Sequence, residues 1–124
     1  MPGADLPKLT PNQAEMLVLS VLAGGPSYGY AITKAVAARS GGSFAMGPAR
    51  LYPLLARLEK QGIIASSWEE VKAAGADASS AGRRRKWYTL SAKGRHRLEQ
   101  HVSAHRRFTS LIESFIAPRE GVPA

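Results

Sequence analysis

The pattern of apolar positions predicts four amphipathic helices, because apolar residues recur at intervals of three and four in four separate segments. The first helix has Pro11 near its first position, with Thr10 or Asn12 as its cap, and stops at a Gly-Gly-Pro sequence. The second follows a candidate cap, Ser27, and stops at a Gly-Gly pair. Tyr30 belongs to its apolar stripe, so we expect this ring to lie in the core.

The third helix has the clearest period and one awkward residue. Four leucines are spaced as on one helix face, and Gly62 stands where the helix should end. Pro53 falls inside this pattern, where the missing N–H and the ring clash cost about 3 kcal/mol. Two explanations remain open: residues 48–51 form a separate tight turn before the regular helix, or the helix is kinked. Either would turn Arg50 and Tyr52 outward.

After the third helix the period changes from that of a helix to that of strands. Residues 63–68 and 86–90 are rich in β-branched and aromatic side chains and predict two strands. The segment between them, about residues 71–84, is small, polar and broken by glycine, and predicts a flexible hairpin loop. Ser43–Met46 is a candidate for a short strand before the third helix.

The last predicted helix runs from a cap at Ser91 to about Ile116 and is about 40 Å long at about 1.5 Å per residue. So long a helix exceeds the body of a small domain, and its outer end is still apolar. It either folds back on its own domain or pairs with the same helix of a second chain, which we favour. The residues predicted for this dimer interface are Leu98, Val102, Phe108, Leu111, Ile112, Phe115 and Ile116.

The order of elements predicts a winged helix-turn-helix, a mainly α fold with a small β-ribbon, followed by a long C-terminal dimerisation helix. We expect a flexible N-terminus at residues 1–9 and a DNA-binding domain at residues 10–90 that includes the wing loop. The dimerisation helix would occupy residues 91–117, and residues 118–124 would form a flexible tail.

The composition of the chain indicates a polyanionic partner. Among 124 residues, 17 Lys and Arg oppose 9 Asp and Glu, which gives a net charge of +8. Such an excess favours nucleic acid through its field and through counterion release. The chain has no cysteine, which excludes disulfides and thiolate metal sites. No apolar run approaches the roughly 20 residues of a membrane span, and the N-terminus lacks a signal-peptide pattern, so we expect a cytoplasmic protein.

The third helix of such a fold is the candidate for the major groove of double-stranded DNA. Arg50 would either read a guanine edge or contact phosphate, and Tyr52 would contact DNA beside it. Arg57 lies seven residues further on the same face as Arg50; a phosphate contact is open, although plain solvent exposure is favoured. Tyr28 either donates its hydroxyl to phosphate or is a half-buried core tyrosine.

The wing carries the sharpest charge cluster: Arg83, Arg84, Arg85 and Lys86 are adjacent, with no acid among them. Four such charges repel one another unless an anion is near. We expect them to straddle a phosphate backbone or to enter the minor groove, the alternative being a solvated basic tip.

The sequence offers little for catalysis. His101 and His105 have an i, i+4 spacing that is compatible with binding a metal ion, but no further ligand accompanies them and neighbouring arginines would oppose a cation. There is no phosphate-cradling glycine loop and no convincing acid/base pair. We therefore expect neither a catalytic site nor a metal or other cofactor.

Three stretches of the chain resemble the PadR family of bacterial winged-helix transcriptional regulators. They are LVLSVLAGGPSYGYAITKAV, LYPLLARLEKQGIIASSWEE and GRRRKWYTLSAKGRHRL. The resemblance covers about Leu9 to Phe115, is most specific at the Leu-Tyr-Pro of residues 51–53, and fits the compact branch with one C-terminal helix. It implies a homodimeric DNA-binding repressor, which in some members is released by an aromatic or drug-like ligand held at the dimer interface.

The chain departs from the family pattern at three positions and in the loop from Val71 to Ala81, which is longer than usual. Arg50 stands where members usually have Ser or Thr, Arg84 where the wing usually has proline, and Trp87 where tyrosine is common. The base preference of other members therefore does not transfer.

The sequence as a whole predicts a regulator that binds a palindromic operator as a homodimer. The alternative from another class is a small-molecule-binding or protein-interaction module whose winged helix does not read DNA. A steep salt dependence of binding to duplex DNA would favour the first.

Overall fold

The structure, a computed structural model, describes residues 8–71 and 83–118, with side chains except at positions 70, 71 and 83. Most of the predicted wing loop and of the two terminal segments thus lies outside the described residues. Within the described ranges, no helix combines the length and hydropathy needed to cross a bilayer. The elements are α1 (Pro11–Ala23), β1 (Ser27–Tyr28), α2 (Gly29–Arg39), α3 (Pro48–Lys60), β2 (Ile64–Val71), β3 (Arg83–Leu90) and α4 (Ala92–Ile116).

The predicted winged helix-turn-helix is confirmed, with a small antiparallel sheet of order β1-β3-β2. β2 and β3 pair from Ile64 opposite Leu90 outward, and they form the wing. One prediction about this sheet is wrong: Ser43–Met46 forms no strand, and the short third strand is Ser27–Tyr28, opposite Tyr88 and Trp87 of β3. Ser27 is therefore a strand residue rather than the cap of α2, whose cap residue is Tyr28.

Local capping chemistry begins α1 and α4 where the sequence predicts. The Thr10 hydroxyl accepts from the Gln13 backbone N–H, while the Gln13 side chain accepts from the Thr10 N–H, which completes a capping box. The Ser91 hydroxyl accepts from the Gly94 N–H at the start of α4. Both caps satisfy backbone donors that a helix leaves unpaired.

α3 is one continuous helix that contains Pro53, so the separate tight turn at residues 48–51 is wrong. The backbone N–H groups of Arg50 and Leu51 both donate to the Gly47 carbonyl, as in a regular first turn. Four leucines of α3 are buried in the core, and this packing outweighs the hydrogen bond that Pro53 cannot make. They are Leu51, Leu54, Leu55 and Leu58.

The predicted stop at Gly62 is confirmed by a Schellman motif. The Ile63 N–H donates to the Leu58 carbonyl and the Gly62 N–H to the Glu59 carbonyl. Gly62 has φ of 74°, a left-handed conformation that side chains other than glycine rarely adopt. The turn sends the chain directly into β2.

The core lies between α1, α2, α3 and the base of the sheet. The prediction that Tyr30 belongs to it is wrong, because its side chain is 62% exposed. α2 turns Ile32 and Val36 inward, and Tyr30 lies outside that face, with the Lys34 ammonium 5.3 Å from its ring centre. The buried apolar residues include Val18, Leu19, Leu22, Met46, Ile63, Ile64 and Tyr88.

α4 is fastened to the domain at its first turn. The Ser91 hydroxyl donates to the carbonyls of Gly62 and Ile63, and the Lys93 ammonium to the Gln61 carbonyl at 2.8 Å. Gly94 packs so closely that a Cβ built there would overlap the Ile63 carbonyl oxygen. The helix can approach the turn before β2 this closely only because residue 94 has no side chain.

We expect Gly94→Ala to lower the free energy of unfolding by about 3 kcal/mol, since a methyl group against fixed backbone forces α4 away. Urea denaturation followed by circular dichroism measures this change. Gly47→Ala is the matched control, because that glycine has a negative φ and open space around it. Equal losses in both variants would mean that α4 does not depend on close packing at Gly94.

Candidate nucleic-acid interface

α3 and the wing enclose an open cleft of about 530 Å³ that is lined by aromatic and cationic side chains. The cleft collects most of the predicted DNA contacts from three separate parts of the chain. They come from the start of α2, the middle of α3 and both wing strands. The side chains that matter here are Tyr28, Tyr52, Trp68, Arg84, Arg85 and Lys86.

The basic cluster belongs entirely to strand β3, whereas the sequence analysis places Arg83 and Arg84 in the hairpin loop and only Lys86 in the second strand. Because side chains alternate along a strand, Arg84 and Lys86 share one face of the wing and Arg85 points to the other. The backbone register also places Glu69 opposite Arg85 and Glu70 opposite Arg84. The cluster is therefore paired with acidic positions on β2, which its own sequence run does not reveal.

Aromatic rings support the cations of the wing. The Arg84 guanidinium carbon lies 4.8 Å from the centre of the Trp68 ring, and the Lys86 ammonium lies 5.7 Å from it. On the other face, Arg85 lies 4.6 Å from the centre of the Tyr28 ring. Contacts of this kind hold a cation in place without neutralising it. Trp68, which is 56% exposed, is a residue of this surface that sequence reasoning missed.

An ion pair joins the wing to α3. The Lys86 ammonium lies 3.1 Å from a Glu59 carboxylate oxygen, and the Ser66 hydroxyl donates to the same carboxylate. The Ser66 hydrogen bond, and after it Lys86, hold the pKa of Glu59 below its ordinary value. Lys86 is thus partly engaged inside the protein, whereas Arg84 and Arg85 are exposed.

Tyr52 and Tyr28 border the cleft on the side of the helices. A Cβ built at Gly29 would overlap the ring and hydroxyl of Tyr52, so the glycine allows α2 to begin directly against α3. Tyr52 is 46% exposed. The Tyr28 ring is partly buried and meets Trp87 edge to face, with centres 5.2 Å apart. The Tyr28 ring is therefore half-buried, and the residue also borders the cleft, so a phosphate contact of its hydroxyl stays a prediction.

Arg50 and Arg57 lie on the other flank of α3, toward α1. The Arg50 guanidinium donates to the Leu9 carbonyl at 2.6 Å, and Arg57 lies 3.4 Å from a carboxylate oxygen of Glu15. Arg50 and Tyr52 are about 200° apart around the helix axis, so they flank its exposed face on opposite sides. Both arginines remain at the surface, but neither lines the cleft.

Glu15 is the residue that sequence reasoning missed most completely. Its carboxylate is 2% exposed and accepts from Arg97 at 2.8 and 3.1 Å and from Arg57 at 3.4 Å, while the His101 imidazole contacts it as well. Burial raises the pKa of Glu15, but hydrogen bonds from Arg97 and His101 outweigh burial and hold the pKa below its ordinary value. The Glu15 hydrogen bond also raises the pKa of Arg97. The sequence does contain a hint, since Glu15 precedes the buried Leu19 by one helical turn.

The seven residues predicted for a dimer interface fall into two groups. Leu98 and Val102 are partly buried, and Leu98 packs against its own core. The outer five are exposed, Phe115 by 87%, and share one side of α4. This outer apolar face consists of Phe108, Leu111, Ile112, Phe115 and Ile116.

The remaining predicted residues are placed as follows. The backbone of Arg83 is in β3, and its side chain lies outside the described part of the structure. His101 binds Glu15 instead of pairing with His105. Among the residues described, no three His, Asp or Glu side chains are grouped to hold a metal ion.

Comparison with known proteins agrees with this architecture. Residues 18–100 match the model of the transcriptional regulator PadR-like family. A 37.1 kDa protein of transposon TN4556 from Streptomyces fradiae is 35% identical over 109 residues, which cover 88% of this chain. The chain spans only 28% of the length of that relative.

Two solved structures extend the likeness to three dimensions. A transcriptional regulator from Clostridium thermocellum has a TM-score of 0.70 at 26% identity, covering 85% of this chain and 94% of its own. A PadR family transcriptional regulator from Eggerthella lenta has a TM-score of 0.68 at 29% identity, covering 86% and 83%. The family match runs from within α1 through both wing strands into α4, and the chain therefore belongs to the PadR-like family of transcriptional regulators, which are not enzymes.

Proposed function

We propose that the protein is a cytoplasmic, homodimeric repressor that binds a palindromic operator in double-stranded DNA through α3 and the wing. The observation that carries this proposal is the cleft between α3 and the wing, where exposed cations and aromatic rings face the same side as the exposed surface of α3. A polyanion fits this surface, and the net charge of +8 favours the same partner.

The exposed face of α3 is suited to close approach. Ala49, Pro53 and Ala56 are exposed along its centre, with Arg50 on one flank and Tyr52 on the other. Small apolar side chains let the helix axis come near the base edges, and they can meet the methyl group of thymine. In this arrangement Pro53 adds no side chain long enough to hold the helix away from the groove.

The cations divide into two groups by their expected roles. Arg84 and Arg85 project from the wing and would contact phosphates, with Lys86 and Arg83 beside them. Phosphate contacts of this kind supply most of the affinity and no sequence preference.

Arg50 and Arg57 would contact the DNA from the α1 side of α3. Arg50 lies nearer the helix start and is the candidate for a contact with a base. Tyr28 and Tyr52 would donate hydroxyls to phosphate.

The homodimer is supported by the outer apolar face of α4, which the described part of its own domain leaves uncovered. Pairing of two such helices about a two-fold axis would present two α3 helices to successive turns of DNA. An aromatic or drug-like effector would be held between the paired helices. A groove of about 500 Å³ along α4, lined by Leu98, Val102 and Arg106 among others, is where we propose that it binds.

Selection of bound duplexes from a random DNA pool tests the proposal directly. We expect recovery of an inverted repeat whose half-sites are about one helical turn apart, roughly 34 Å. The competing function, a ligand- or protein-binding module that does not read DNA, predicts no enrichment and a binding constant for duplex DNA that is insensitive to salt. That outcome would overturn the proposal.

If Arg50 reads a base, Arg50→Ala will cost about 1–3 kcal/mol of binding free energy on the selected site. Selectivity should relax at one position in each half-site, which repeating the selection with the variant measures. Lys60→Ala removes a charge from the other end of α3 and serves as the matched control. A uniform loss on selected and random DNA would assign Arg50 to phosphate.

A further inference from the structure

Besides the apolar contact of Leu98 with the core, α4 is held to its domain at two places along its length. The first is the turn at Ser91 and Gly94, described above. The second is the buried carboxylate of Glu15, which binds Arg97 and His101 of α4. His101 lies seven residues beyond Gly94, about 10 Å along the axis, so the two attachments together fix the direction of α4.

The same carboxylate also reaches α3. Arg57 of α3 lies 3.4 Å from one Glu15 oxygen, and Arg97 binds both oxygens. Glu15 thus joins the helix proposed to enter DNA and the helix proposed to form the dimer. We call this group, Glu15 with Arg57, Arg97 and His101, the Glu15 clamp.

The Glu15 clamp lies where α4 leaves the domain, so a small change in helix direction there produces a larger displacement at the far end of α4. Residues 103–116 of α4 are all exposed and extend about 20 Å beyond His101. A tilt of about 10° at the clamp would move the far end of the outer apolar face by about 4 Å, close to one base-pair step of about 3.4 Å. A change of this size matters for a dimer that must match two half-sites.

We propose that Glu15 is a positioning residue that sets the distance between the two α3 helices of the dimer and therefore the half-site spacing that the protein accepts. This inference rests on the proposed function. A purely structural role for Glu15 would change the stability of the domain and leave the spacing preference as it was. A buried ion pair usually contributes little to the free energy of unfolding, and it is better suited to fixing a single arrangement of the helices that it joins.

The first test measures geometry without DNA. The chain has no cysteine, so Lys60→Cys on the exposed end of α3 gives one nitroxide label per copy in the full-length protein. Electron-spin distance measurement should give one narrow distribution between the two labels. We expect Glu15→Gln and Arg97→Gln to shift or broaden it, whereas Arg95→Gln, which removes a charge from an exposed position of the same helix, leaves it unchanged.

The second test uses palindromes built from the half-site recovered by selection, with the spacing changed by one or two base pairs in each direction. The unaltered protein should prefer its best spacing by about tenfold or more, because a mismatched dimer must strain or release one half-site. Glu15→Gln and Arg97→Gln should reduce this preference to about threefold or less, with single half-site binding kept within about twofold. Arg97→Gln keeps the test valid if Glu15→Gln does not fold, since Arg97 is partly exposed.

The outcomes separate the two proposals. Unchanged distance distributions and spacing preferences in both clamp variants would overturn the positioning role and leave the DNA-binding function intact. Failure of the unaltered protein to bind any duplex, or to form a dimer, would overturn both.

Discussion

Removal of residues 108–124 is expected to convert the protein into a monomer and to weaken binding to its palindrome by about 1,000-fold. The exposed large apolar residues of the outer α4 all lie in the removed segment. Specific sites are typically bound at least 1,000-fold more tightly than random DNA, and much of that difference requires both half-sites to be engaged together. Sedimentation and DNA titration measure the two effects.

The shortened protein should keep its fold and its weak affinity for random DNA. The core, the wing and the Glu15 clamp all lie before residue 108, so circular dichroism should still report a cooperative unfolding transition. Binding to random duplexes should fall by no more than about tenfold, because phosphate contacts within one domain are unaffected.

A single substitution on the outer apolar face is also expected to prevent dimerisation, without shortening the chain. Leu111→Asp places a charge on the outer apolar face, where a paired helix would bury it at high cost. Ser110→Asp adds the same charge on the opposite side of α4 and is the matched control. Dimerisation should be lost in the first variant and retained in the second. A full-length protein that is already monomeric at micromolar concentration would contradict the proposed pairing.

Local chemistry explains how much of the fold the sequence could reveal. The capping contacts of Thr10, Ser91 and Gly62 involve backbone groups within a few residues of each, and each of the three begins or ends a helix as predicted. The leucine spacing of α3 likewise reports its buried face directly. Structural features that depend on one segment can be predicted from the sequence of that segment alone.

The features that the sequence could not reveal depend on distant partners. The Ser27–Tyr28 strand is too short to show the alternation of polar and apolar residues by which a strand is predicted. It is a strand because it pairs with β3, which its own sequence does not show. Pro53 stays helical because the core holds its helix. Tyr30 has core-like chemistry, but the direction of α2 turns it outward.

Glu15 shows the same limit within the candidate site. Its partners Arg57, Arg97 and His101 are 42, 82 and 86 residues away along the chain. An acid on an apolar helix face is visible in the sequence, but the identity of the cations that it binds is not. The wing cluster is an intermediate case, because its charges are evident whereas its pairing with Glu69 and Glu70 depends on the register of the hairpin.

Replacement of Arg83, Arg84, Arg85 and Lys86 by alanine is expected to weaken binding to every duplex and to flatten its salt dependence. If two to four of these charges per dimer contact phosphate, the log–log slope falls by about 2–4 units, and affinity at 0.1 M salt falls by about 10²–10⁴-fold. Sequence preference should not change, since phosphate contacts carry no sequence information. Titration of selected and random duplexes at several salt concentrations measures all three quantities.

The strand geometry allows a sharper comparison between two double variants that remove equal charge. Arg84→Ala with Lys86→Ala removes both cations from the face of the wing that carries Trp68. It also removes the partner of Glu59, whose negative charge on α3 is then uncompensated. Arg95→Ala with Arg107→Ala removes two exposed charges from α4. Long-range attraction to DNA depends on net charge and is lowered equally in both, whereas released phosphate counterions depend on direct contacts. The slope should therefore fall only in the wing variant, and equal slopes in the two variants would mean that the wing cations contribute net charge alone.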